Sequence, residues 1–427
     1  MYGSWHTSEE GPPCLFHEDS RDYLPHWSAE RIMDDLRDAI LAEDVWDTHT
    51  HLTGDQLPAP DFWEIGHYFW LLRELRAAGY PADHDQMAPP QRAEAYARAL
   101  HASRNTAMNQ AMRAAVRDLY GIELTDAASI LAADEAVRAT AQQDGWAAKV
   151  FDRAGVRRAV VNVEQDADFG DLSKLSYLLP RIERRIADWT DALSGASDSA
   201  KAAEAVVGQI EQFAAALSRR GVRGLMASLG EWCECTAGEP PQLSASTGPE
   251  EAKTFVLHQI AAAATRQDLF LQFFLGMERG YWSAQVVANN RTDRILALHG
   301  LFERYQCRFD LVLSTNLLNF DAVQTARVFP NVHLGGLWWF NFRPSTYREV
   351  MQYRLEALPP SKAALIASDA RYVEWCYAKV MLVKRLLAEF LCEQIQRGWL
   401  SEDDALWVAR EWLHDAALRL YHEPKGD

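Results

Sequence analysis

The sequence predicts an α/β fold: a (β/α)8 barrel with a helical insertion after strand 1. Three observations carry that prediction. Eight short apolar runs recur along the 427 residues, most of them separated by stretches of helical periodicity. The first run leads into Asp47-Thr48-His49-Thr50-His51 and the last into Ser368-Asp369-Ala370-Arg371, so chemistry-bearing residues stand where the two terminal strands stop. Between the first and second runs, residues 57–150 are rich in Ala, Arg, Leu and Glu without β-branched alternation, too long a block for one crossover helix.

Residues 1–27 are polar, with Gly11-Pro12-Pro13 near the start, and are expected to wrap the surface. Residues 28–42 are helical in period, and strand one begins at Val45-Trp46. The insertion is punctuated by Gly79-Tyr80-Pro81 and Pro89-Pro90. The chain therefore divides into an N-terminal segment with strand one (1–56), a helical insertion subdomain (57–150) and the remaining barrel with its C-terminal helices (151–427). The later strands are expected at Arg158–Val163, Tyr177–Pro180, Val222–Ser228, Leu269–Gly276, Phe309–Ser314, Val332–Trp338 and Ala363–Ser368. Long helices at about 374–396 and 401–421 close the chain.

Sixty acids against 43 Lys and Arg give a formal charge of −17, which repels nucleic acid and anionic membranes. Neither is expected as a partner. An anionic substrate would need local arginines to reverse the potential. No apolar run reaches the ~20 residues that cross a bilayer, and the N-terminus does not resemble a signal peptide. Six cysteines are too few for a disulfide scaffold and are expected to be reduced thiols of a cytoplasmic protein. A homo-oligomer is left open.

Alternate strand residues point the same way, so Asp47, His49 and His51 share one face. Two imidazoles there, with a carboxylate beside them, begin a divalent-metal site that needs a ligand from elsewhere. Asp369 is the candidate, because the first and eighth strands become neighbours when a barrel closes. Taken alone, Asp369 would be an ordinary helix N-cap. Arg371, and Arg279 after strand five, are either anion clamps or surface ion pairs. In His67-Tyr68-Phe69-Trp70 the helical spacing puts His67 and Trp70 on one face. That helix either packs over the barrel mouth or brings His67 and Tyr68 to a substrate. Trp338, Trp339 and Asn341, in Trp338-Trp339-Phe340-Asn341, are either core or pocket wall.

Together these motifs resemble the uronate isomerases (glucuronate and galacturonate isomerases) of the amidohydrolase superfamily. The resemblance spans roughly 40–380 and rests on Asp47–Leu52, His67-Tyr68 with Trp70, Gly276 with Arg279, Trp338–Asn341 and Ser368–Arg371. It implies a distorted TIM barrel, one divalent metal (zinc, with Mn2+ as the alternative) and aldose–ketose interconversion of a D-glucuronate- or D-galacturonate-type hexuronate through an enediol. It implies that His49, His51 and Asp369 hold or border the metal, that His67 and Tyr68 assist at the sugar, and that Arg371 fixes the substrate. Tyr68 and Asp369 are the favoured proton-handling pair.

The chain departs from that family at four places. Phe274 stands where a strand-five histidine is expected, and Ser228-Leu229-Gly230-Glu231 replaces Ser-Asp-His-Gly. Asn162-Val163-Glu164-Gln165-Asp166 replaces an acidic Thr-Thr-Asp-Asp segment, and Gly66 replaces an Asp before His67. The expectation is a divergent relative with a sugar-acid pocket. Two further readings stand beside it: a mononuclear metal-dependent hydrolase of a sugar-acid lactone, ester or amide, and a sugar-acid binding protein of weakened catalysis.

Overall fold

Short parallel strands alternate with helices in a computed structural model that describes residues 26–163, 169–229, 234–278, 287–288, 293–338 and 341–421. One parallel sheet comprises β1 (Val45–Thr50), β2 (Val156–Val161) and β3 (Ser176–Leu178). A second comprises β4 (Gly224–Ser228), β5 (Phe270–Leu275), β6 (Phe309–Leu313) and β7 (Val332–Leu334). The two meet after β3, where Arg181 bridges Met226. On the far side β7 is joined to residues 363–370 by the parallel bridges Leu334–Ala363 and Leu337–Ile366, and that stretch returns to β1 through Thr50–Ala370. The fold is a TIM barrel, distorted in that separate ladders are joined by single bridges.

The eighth position differs from its expected form. Ala363–Ser368 is not a continuous strand but a stave held by isolated bridges. Part of its hydrogen-bonding capacity goes elsewhere: Leu365 N donates to Trp412 O at 2.9 Å, and the Ala364 carbonyl accepts from Arg354. The seventh strand also stops early, at Gly335-Gly336. A Cβ on Gly336 would lie 2.3 Å from the Ile366 carbonyl carbon, so only glycine lets the stave approach this closely. The stave still lies against β1, with Thr48 N bonded to Ile366 O (3.0 Å), Asp369 N to His49 O (2.9 Å) and His51 N to Ala370 O (2.8 Å).

Following α1 (His26–Ala42), the chain between β1 and β2 folds as helices α2 (Phe62–Gly66), α3 (Phe69–Ala77), α4 (Pro89–Ala102), α5 (Ala107–Tyr120), α6 (Ala127–Ala141) and α7 (Trp146–Ala154). Local chemistry sets their ends. Asp61 caps α2, Pro89 opens α4, an Asp126–Ser129 capping box starts α6, and Gly121 ends α5 in the left-handed region. The break between α2 and α3 falls at His67-Tyr68. Gly66 is dictated by packing, since a Cβ there would meet the Tyr96 hydroxyl at 2.7 Å. After the stave a long helix, Val373–Gln396, buries Trp375, Cys376 and Lys379. No helix among the described residues is long and apolar enough to cross a membrane.

Candidate metal centre and its cavity

His49, His51 and Asp369 converge at the mouth of the barrel. His49 Nε2 lies 3.0 Å, and His51 Nε2 3.1 Å, from Asp369 Oδ1. All three ligand atoms fall within 4.8 Å of one another. Asp369 occupies the left-handed region (φ 54°), which a short carboxylate side chain tolerates better than most. The turn aims its carboxylate back over β1. Its other oxygen accepts from the Tyr68 hydroxyl at 3.1 Å and Trp70 Nε1 at 3.4 Å.

The tautomer of His49 follows from its neighbours. Asn162 Nδ2 donates to Leu179 O at 3.2 Å, which turns Asn162 Oδ1 toward His49 Nδ1. An amide oxygen only accepts, so Nδ1 carries the proton and Nε2 presents a lone pair. Burial lowers the His49 pKa and favours that neutral form. Burial would raise the Asp369 carboxyl, but the His51 hydrogen bond and the charges of His51 and Lys379 help to outweigh it and hold it well below the usual range. A lone pair thus faces a carboxylate in a buried site. A cation between them relieves that opposition, and two imidazoles with one carboxylate are a fitting donor set for a divalent metal.

Asp47 takes another place. Its Oδ1 accepts from Ser368 N at 2.9 Å and its Oδ2 from Cys376 Sγ at 3.4 Å, so it straps β1 to the stave instead of joining the ligands. Tyr68 backs Asp369 from outside the cavity. Its hydroxyl accepts from Lys379 Nζ at 2.6 Å, and burial followed by the Asp369 charge pushes its pKa well above the ordinary value. His67 turns away from both. Its Nε2 pairs with the Tyr80 hydroxyl at 3.0 Å and its ring lies 4.3 Å from that of His84.

A cavity of about 250 Å³ opens over the three ligands. Arg371 lines it as expected, and so do Arg73 and Arg181, which the sequence reading did not single out as site residues. Arg181 is held by Glu183 at 2.7 Å, whereas Arg73 and Arg371 have no ion pair among the described residues. Arg73 stacks over Trp70 at 4.7 Å. Trp338 is a wall residue, edge-on to Phe274 (4.6 Å) and His49 (6.0 Å). Phe274 itself packs 4.5 Å from the His49 ring, filling with hydrocarbon the position where a third histidine was expected. Asn341 is spent on the backbone: its Nδ2 donates to Leu313 O (2.9 Å) and Thr315 O (3.3 Å), tying the loop after β7 to the end of β6. Arg279 and Trp339 lie outside the described residues.

Arg181 had a usable signal, since it follows Pro180 at the end of an expected strand. Asn162 was visible only as a departure from an acidic motif. Lys379 sits inside a helix and has no local signal.

The fold is that of a TIM barrel whose first strand and last stave carry two histidines and an aspartate to the mouth. The chain matches no family model. Over 138 residues it is 28% identical to the uronate isomerase of Mesorhizobium japonicum, a match covering 31% of this chain and 29% of that protein. Its structure superposes on the uronate isomerase of Bacillus halodurans with a TM-score of 0.72 at 17% identity, covering 93% of this chain and 97% of the other. For the glucuronate isomerase of Caulobacter crescentus the TM-score is 0.74 at 15% identity, with coverage of 96% and 98%. In sequence the chain is a divergent relative of the uronate isomerases, and it has their fold.

Proposed function

We propose that this protein is a cytoplasmic, metal-dependent isomerase that interconverts a hexuronate aldose with its ketose, acting on D-glucuronate- or D-galacturonate-type sugars. The observation that carries this reading is the lining of the cavity: Arg73, Arg181 and Arg371 surround a His–His–Asp cluster in a chain of net charge −17. Those arginines supply the local positive potential that a small carboxylate substrate needs. The names of the relatives in sequence and fold support the same class.

His49, His51 and Asp369 would hold the metal, Zn2+ or Mn2+. Bound there, it would supply Lewis-acid stabilisation of negative charge developing on a sugar oxygen. Arg371 anchors the substrate carboxylate, and Trp338 and Phe274 keep water from one wall. In the reaction C2 of the open-chain aldose loses a proton while O1 gains one, giving the enediol. A proton then returns to C1 and O2 loses its own, so no external oxidant or reductant is needed. Asp369 is ionised and borders the cavity, which makes it the proton acceptor. Tyr68 keeps its proton and hydrogen-bonds Asp369 Oδ2, which makes it the orienting partner of that carboxylate.

Incubation of the metal-supplemented protein with D-glucuronate or D-galacturonate in D2O tests the reading. The expected result is ketose product with solvent deuterium in recovered sugar. No ketose from either uronate with added Zn2+ or Mn2+ would overturn it.

A further inference from the structure

A second cavity, of about 160 Å³, adjoins the first, and Arg73 lines both. Its charged lining is Arg73, Arg343, Lys379 and Glu74. Glu74 is already engaged, accepting from the Thr106 hydroxyl. None of the three cations has an ion pair among the described residues, although acids exceed bases by 60 to 43 in the chain. Lys379 is the most telling of them. It is only 2% exposed, and its ammonium feels the charges of Asp369 and Asp47 without a direct ion pair to either. It donates to Tyr68 and to Ser368 O, which leaves one of its three N–H groups uncommitted.

The three cations come from three separate elements: α3, the loop before helix Pro344–Ala357, and the long helix Val373–Gln396. Three cationic residues contributed to one cavity by three elements suit a dianion with three terminal oxygens better than a planar carboxylate. Trp70, Phe342 and Met108 form apolar walls that can receive a short carbon skeleton.

We propose that this second cavity binds a small phosphate monoester, its phosphoryl group held by Lys379, Arg73 and Arg343 and its carbon portion set against Trp70 and Phe342. Because Lys379 also holds the Tyr68 hydroxyl, the occupant touches the arm of hydrogen bonds that orients Asp369. That last consequence rests on the isomerase reading. The binding itself does not.

The test uses the full, metal-loaded chain and two probes, inorganic phosphate and glycerol phosphate, titrated calorimetrically at fixed ionic strength. One site per chain is expected, with glycerol phosphate the tighter ligand. Arg343→Gln, at an exposed position, should weaken both by at least ~10-fold, the scale of a lost charge-assisted hydrogen bond. Arg371→Met, in the first cavity only, should leave both unchanged. Absence of binding, equal binding by Arg343→Gln and the native chain, or loss of binding in Arg371→Met instead would each overturn the proposal. No turnover is read, so a negative outcome leaves the isomerase reading standing, and failed isomerase assays leave this one standing.

Discussion

Two clusters in this molecule have the same composition, two histidines and an aspartate, and opposite physics. In the first, His49, His51 and Asp369 hang from adjoining barrel elements whose backbones are bonded to each other. Asn162 fixes one ring, Tyr68 and Trp70 fix the carboxylate, and a cavity lined by arginines opens above. In the second, His67, His84 and Asp85 lie within one helical insertion. The His84 ring stacks on Tyr80 at 5.0 Å, the His67 ring packs against both (4.3 Å from His84 and 5.6 Å from Tyr80), and the Asp85 side chain is 77% exposed. The nearby Arg92 charge also opposes a cation there. Ligand-type residues make a site only when neighbouring groups aim their lone pairs at one point. The second cluster spends its imidazoles on aromatic packing.

The largest expected effect separates the two directly. His49→Ala should weaken metal binding by more than ~100-fold, since it removes a ligand and not merely its support. His84→Ala should leave metal content at the native level. Elemental analysis after dialysis against graded chelator checks both, and equal losses in the two variants would erase the distinction. Next in size is the cavity above the first cluster. Arg371→Met should raise KM for a uronate by about 10- to 150-fold, corresponding to a charge-assisted hydrogen bond of ~1.5–3 kcal/mol. Unchanged kinetics would remove Arg371 as the carboxylate clamp.

Support without ligation ranks third. Asn162→Ala leaves all three ligands in place but frees His49 Nδ1, and should cost ~10–100-fold in metal affinity with the fold retained. A metal titration indistinguishable from that of the native chain would show that the tautomer is set by something other than Asn162.

The sequence carried the barrel and the heart of the first cluster because both obey local rules. Alternation along β1 put His49 and His51 on one face, and strand-end position singled out Asp369. What escaped depends on side-chain direction across elements. His67 and Tyr68 are adjacent in sequence, yet the α2–α3 break sends Tyr68 to Asp369 and His67 to Tyr80. Asp47 shares the strand face with the ligands but is consumed by closure of the barrel. Asn341 lies in a motif expected at the pocket and instead ties two loops together. Periodicity records which face a residue occupies. It does not record which hydrogen bond that residue has already made.

The smallest expected effect concerns the second cluster and acid stability. Burial, with the nearby charge of His84, lowers the His67 pKa to about 4 from an ordinary 6.5. Below pH 6.5 the unfolded chain takes up a proton at this position while the folded chain does not. Folding stability from His67 is therefore fully present above 6.5 and lost progressively as the pH falls toward 4, by up to about 1.4 kcal/mol per pH unit. His258, lowered to about 4 by burial and the Arg304 charge, and His333, lowered to about 3 by burial and the Lys362 charge, add slopes of the same sign. Replacing the imidazole with a ring that cannot titrate, His67→Phe, should subtract one histidine's share and flatten the curve between pH 6.5 and 4. Denaturant melts at half-unit pH steps measure the slope directly. A variant as acid-sensitive as the native chain would mean that His67 is protonated in the folded state, and the second cluster would then be a charged site and not an aromatic stack.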